Sequence, residues 1–122
     1  MSLRQIQNPW KSDVFTTADA TPTVSAPASF IVPAGSTVYV EMTAIARSAA
    51  GLVAATKIAA VAQNVAGTLT LTPVTLALAA TTGGLAIGAV TFTSTGVTIQ
   101  PRVVGIIATS IEWLLDVRYS VN

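Results

Sequence analysis

The stretch Ile111-Glu112-Trp113-Leu114-Leu115-Asp116-Val117-Arg118-Tyr119-Ser120-Val121 decides the fold. Ile111, Trp113, Leu115, Val117, Tyr119 and Val121 recur at every second position, and Glu112, Asp116, Arg118 and Ser120 lie between them together with Leu114. A period of two places alternate side chains on opposite faces of an extended chain, so this segment reads as a strand with one face in a core. Thr37 to Arg47 repeats the pattern, with Val38, Val40, Met42, Ala44 and Ala46 on one face and Tyr39, Glu41, Thr43, Ile45 and Arg47 on the other. Pro33-Ala34-Gly35-Ser36 before it and Ser48-Ala49-Ala50-Gly51 after it supply turn chemistry at both ends.

The remaining elements follow by the same reasoning. Leu52 to Ala66 fits a strand or an alanine-rich helix, and strand is the preferred reading. Thr68-Leu69-Thr70-Leu71-Thr72 alternates strictly and continues past Pro73 into Val74, Leu76 and Leu78. Pro73 removes a ladder donor, which predicts an edge or a bulge there, and Pro101 carries the same implication in the strand Val97 to Val104. Leu85 to Thr93 is a further predicted strand. Six or seven strands at short intervals, without a convincing helix, predict an all-β fold: an antiparallel β-sandwich of jelly-roll or immunoglobulin-like type. Residues 1–22 alternate only weakly and read as an extended N-terminal arm, leaving 23–122 as the sandwich domain.

Composition narrows function. The chain has 122 residues, 52% hydrophobic but only 9% charged, where soluble domains carry about 25%. Six Lys and Arg against five Asp and Glu give a net charge of +1, with no basic stripe for nucleic acid. There is no Cys and no His, which removes disulfides, thiolate chemistry, the usual general base and the commonest transition-metal ligand. Only carboxylate chemistry is left for an enzyme. Glu112 and Asp116 share a strand face but lie roughly 13 Å apart at about 3.3 Å per residue, beyond the usual separation of glycosidase carboxyl pairs. No catalytic, cofactor or metal site is expected, and no small-molecule substrate.

The stretch between Lys57 and Arg102 carries no charge, yet Gln63, Asn64, Pro73, Gly83 and Gly84 interrupt it too often for a spanning helix, so no membrane contact is expected. Residues 1–11 lack the apolar run of a secretory signal, which predicts synthesis in the cytoplasm. In a sandwich the outward positions of such strands would be Thr, Ala, Val and Phe92, leaving apolar patches and unguarded edges. The expected remedy is a permanent assembly of several copies. Lys57, alone in its neutral stretch, and Arg118 are candidates for a subunit or partner interface.

The segment Gln100-Pro101-Arg102-Val103-Val104-Gly105-Ile106-Ile107-Ala108-Thr109-Ser110-Ile111-Glu112-Trp113, with Gly67-Thr68-Leu69-Thr70-Leu71 and Arg47-Ser48-Ala49-Ala50-Gly51 upstream, resembles small β-domains of tailed-bacteriophage virion proteins. Such domains carry a Val-x-Gly turn, a Thr and then an Ile-x-Trp strand. The likeness spans about residues 35–122 and departs between Thr68 and Thr93, where those domains carry more charge. It implies a structural virion protein, a trimeric capsid decoration or cement protein made in the host cytoplasm, with the major capsid protein as partner and no catalytic residue. The alternative it implies is a receptor- or glycan-binding tip domain of a tail fibre, for which Tyr39, Thr81, Thr82 and Tyr119 are candidates. Under the first reading, Ile6, Pro9, Trp10 and Phe15 of the arm are the expected capsid-docking residues.

Overall fold

The computed structural model describes residues 10–81 and 85–122, the side chains of 75–78 excluded. Nine strands make up the described chain: β1 (Trp10–Thr17), β2 (Thr23–Val24), β3 (Phe30–Ile31), β4 (Thr37–Ser48), β5 (Val53–Val65), β6 (Thr68–Thr81), β7 (Val90–Thr95), β8 (Thr98–Val103) and β9 (Ile111–Val121). They form two antiparallel sheets. The larger has the order β1-β9-β4-β5-β6, and the smaller is built around β8, which pairs with β2, β3 and β7. The all-β sandwich read from the alternation is the observed architecture.

The inward faces supply one core. Val38, Val40, Met42, Ala44 and Ala46 of β4 meet Ile111, Trp113, Leu115 and Val117 of β9, and Phe30, Ile99 and Val103 close over them from the smaller sheet. Phe30 stacks flat on Tyr119 with ring centroids 3.8 Å apart, tying β3 to β9 across the sandwich. Trp113 is fully buried, and its indole N–H donates to Thr17 Oγ1 at 2.9 Å. Buried Asn64 joins three pieces of chain: its Nδ2 donates to the Val32 carbonyl at 2.8 Å and its Oδ1 accepts from Gly67 N–H at 2.9 Å. That bond holds the two-residue turn Ala66-Gly67, where both φ values are positive (51° and 88°), as a type I′ hairpin requires.

Several expectations need correction. Trp10 to Thr17 are not a free arm but the edge strand β1, paired along its whole length with β9. Its alternation is hidden because inward-facing Asp13 is polar, satisfied by the Ser25 hydroxyl at 2.7 Å. The strand expected over Leu85 to Thr93 begins only at Val90; Gly88 N–H instead bonds the Val104 carbonyl at 2.8 Å, outside any ladder. Leu52 to Ala66 takes the strand alternative, as β5, because β4 and β6 pair with it on both sides. Pro73 does lie in an edge strand, β6, whose register against β5 shifts between Lys57 and Ala59.

Pro101 lies at neither an edge nor a bulge. β7 runs along one side of β8, and β2 and β3 lie end to end along the other. The Pro101 carbonyl accepts from Ser25 N–H at 2.9 Å on the β2–β3 side. A strand residue's N and O point to the same edge, so the missing donor falls in the gap between two short strands and costs no ladder bond.

Gly105, the glycine of the Val-x-Gly turn, is fixed by close approach. A Cβ there would lie 2.6 Å from the Asp19 carbonyl oxygen and 2.6 Å from Thr17 Oγ1, the acceptor of the Trp113 bond. Gly105→Ala is therefore expected to cost about 1–3 kcal/mol in urea unfolding, as overpacking does. An unchanged midpoint would show that the 105–110 loop can shift freely.

Candidate assembly face

Register places the outward side chains of the larger sheet in rows that cross the strands. One row is Trp10, Arg118, Glu41, Ala59 and Val74; the next is Ser12, Asp116, Thr43 and Lys57; the third is Val14, Leu114, Ile45, Ala55 and Ala80; the fourth is Thr16, Glu112, Arg47 and Val53. The third row is a band of apolar side chains in solvent: Val14 is 61% exposed, Leu114 42% and Ile45 39%. Trp10, at 60%, Tyr39, Val61 and Val74 add to the same face, so it holds most of the exposed large apolar side chains among the described residues. A sheet face in water normally alternates these out of view, and a patch of this kind marks an interaction surface.

Charges flank the band and cancel. Glu41, Glu112 and Asp116 oppose Arg47, Lys57 and Arg118. Arg47 pairs with Glu112 at 3.0 Å, Lys57 with Glu41 at 3.2 Å, and Arg118 with Asp116 at 3.6 Å. All six side chains are substantially exposed, so each pair is worth at most about 1 kcal/mol; what they contribute is pattern. Trp10 Nε1 donates to Asp116. Glu41, Thr43, Lys57, Asp116 and Arg118 line a shallow hollow of about 240 Å³.

The Tyr39 hydroxyl donates to Glu41 Oε1 at 2.8 Å. That bond, with Lys57 beside it, holds the Glu41 carboxyl below its ordinary range, and the same bond is the main cause of the raised Tyr39 value. A depressed carboxyl means that the unfolded chain binds the proton more readily. The stabilisation is thus present above the unfolded carboxylate value and lost as pH falls through the folded one. Stability in urea should fall on acidification through the carboxylate range, with a shallower fall in Glu41→Gln; identical acid profiles would contradict this. At the alkaline end the Tyr39 contribution is present below its ordinary value of 10.0 and lost as pH rises past the shifted one.

The residues singled out from sequence fare differently. Lys57 and Arg118, far apart in the chain, come together on this face around Thr43. Trp10 joins them at the edge. Phe15, expected to dock a partner, instead faces inward opposite Trp113 and packs on the core. Ile6 and Pro9 lie outside the described residues, as does Thr82. Tyr119, a candidate for a glycan tip, is half-buried in its stack on Phe30. Sequence reading missed Val14, Ile45 and Leu114 as a group; Ile45 and Leu114, apolar residues at outward positions of their strands, were the visible signs.

Among the described residues no three His, Cys, Asp or Glu side chains gather as a metal-holding group, and no helix is long and apolar enough to cross a membrane. No known protein family, curated protein or solved structure matches the chain.

Proposed function

We propose that this chain is a structural virion protein, a homotrimeric decoration or cement protein that binds the outside of an icosahedral shell and ties neighbouring units of the major capsid protein together. The observation that supports the reading is the exposed apolar band of Val14, Leu114 and Ile45 on the outer face of the larger sheet, set between rows of paired charges. Multivalency supplies the mechanism: three linked copies engage the shell at high effective concentration, so modest contacts from each suffice. The segment that runs into β1, with Ile6, Pro9 and the exposed Trp10, is the docking element in this reading. Phe15 is withdrawn from it because it belongs to the core.

Light scattering tests the assembly, with a mass about three times 12.4 kDa expected at all practical dilutions. A species of 12.4 kDa would overturn the reading. Mixing with undecorated shells tests docking, and deletion of residues 1–9 should abolish attachment while leaving the trimer whole. The alternative is a receptor- or glycan-binding tip domain of a tail fibre, although the hollow at one end of the sandwich, between Leu52, Leu85, Ile106 and Thr109, offers no aromatic face for a sugar. Binding of the isolated protein on a glycan array, without attachment to shells, would select it.

A further inference from the structure

We infer that the open edge of β7 is a seat for an extended segment of another protein, which adds to the smaller sheet as one more strand and sends an apolar side chain into the cleft between β6 and β7. This seat lies at the opposite rim of the sandwich from the segment that runs into β1, and it stands whether or not the chain decorates a shell.

Two sheets have four edges, and three of these are blunted, each by a different device. β1 turns Lys11 and Asp13 inward, so a strand added beside it would meet charge. β2 and β3 offer only two residues each. β6 carries Pro73 and, just beyond it, the shift in register. Bonded and unbonded pairs alternate from the two-residue turn Ala66-Gly67, which makes Pro73 and Ala60 an unbonded pair; the Pro73 nitrogen points to the open edge and has no hydrogen to give. β7 has no such guard among its described residues: Val90-Thr91-Phe92-Thr93-Ser94-Thr95 holds no charge and no proline, and its register against β8 is unbroken. The Pro101 carbonyl points to the β2–β3 side, so its partner Phe92 turns its own N–H and C=O away from β8, and Val90 and Ser94 do the same.

What fits beside β7 is a single strand. β7 lies over β5 and β6, and the larger sheet is the wider of the two. One more strand next to β7 therefore lies on the inward side of β6, where Leu69 and Leu71 are only partly buried and Pro73 is exposed. Ile58, Ala60, Leu71, Pro73, Val90 and Phe92 line the cleft there, about 180 Å³ in volume. An apolar cavity of about 150 Å³ holds a benzene ring, so this cleft takes a side chain of Leu or Phe size. No charged residue lines it, which requires the added segment to be uncharged where it faces inward. Main-chain bonds to β7 supply affinity and the cleft supplies selectivity, as in strand addition generally. A second copy cannot take the seat through its own β7, because its β6 flanks that strand in the same way and a twofold pairing would drive the two larger sheets into each other.

A synthetic peptide, acetyl-Lys-Thr-Val-Thr-Leu-Thr-Val-Thr-Lys-amide, serves as the probe, with Val, Leu and Val on one face and a lysine at each end to keep it from pairing with itself. Titrated into the full chain, it is expected to slow hydrogen exchange at the Phe92 and Ser94 amides and to shift the NMR signals of the Leu71 and Phe92 side chains, with the β1 amides unaffected. A peptide with Asp in place of Leu should bind at least tenfold more weakly, because a carboxylate would enter an apolar cleft. Ser94→Pro removes one outward N–H and no bond to β8, so a similar loss is expected with the β7–β8 ladder intact. The Asp peptide is tested on unaltered protein, and its result is independent of how the variant folds. Unprotected Phe92 and Ser94 amides at millimolar peptide would overturn the seat, as would protection confined to β1 or β6. Equal affinity for the Leu and Asp peptides would overturn the cleft as the side-chain pocket. A dimer in which these amides are protected without peptide would overturn the foreign strand as occupant in favour of a second copy.

Discussion

Trp113→Ala is expected to remove about 3–5 kcal/mol of stability, the range for emptying a large aromatic site in a core. Domains of this size are stable by only about 5–15 kcal/mol, so the variant should melt far below the wild type or fail to fold at ordinary temperature. Trp113 has no exposed surface, lies opposite Ala46 and Phe15 in the two neighbouring strands, and fastens β1 through Thr17. Trp113→Phe separates the contributions. It keeps most of the apolar volume but leaves the buried Thr17 hydroxyl without its donor, at a cost of about 1–3 kcal/mol. Urea unfolding of the two variants checks the ranking, and equal losses would mean that packing contributes little beyond the hydrogen bond.

Asn64→Ala is expected to cost about 2–4 kcal/mol, because the buried Val32 carbonyl and the Gly67 N–H both lose their partner. Asn64→Asp is the sharper probe. An ionised carboxylate would face the Val32 carbonyl, so its folded pKa is raised, and the protonated form alone can donate there as the amide does. The variant should therefore be most stable below the ordinary carboxylate range and lose stability as pH rises through the raised value. A flat profile would show that the side chain swings out to solvent instead.

How much of this was legible depended on whether one face of a segment was apolar. β4 and β9 could be read to within a residue because Val38 to Ala46 and Ile111 to Val121 alternate without a break. β1 was missed because Lys11 and Asp13 occupy inward positions, and the Ser25 hydroxyl that makes Asp13 acceptable there comes from the connection between β2 and β3. β2 and β3 hold two residues each, too few to show any period. The assembly face was legible only in part. Arg47 and Glu112 are 65 positions apart, and nothing but register brings them or the Val14–Leu114–Ile45 band together.

The strand order also constrains how the protein is made. β9, the last strand in chain order, sits inside the larger sheet between β1 and β4. During synthesis β4, β5 and β6 can zip up as successive hairpins soon after they emerge, whereas β1 has no lateral partner until more than ninety further residues have been translated. Closing so long a loop is slow, and the waiting strands expose sticky edges meanwhile. Nascent chains stalled before Ile111 should accordingly be protease-sensitive at Trp10–Thr17 and prone to clump, and release of the last strand from the ribosome is the event that commits the molecule to its native shape.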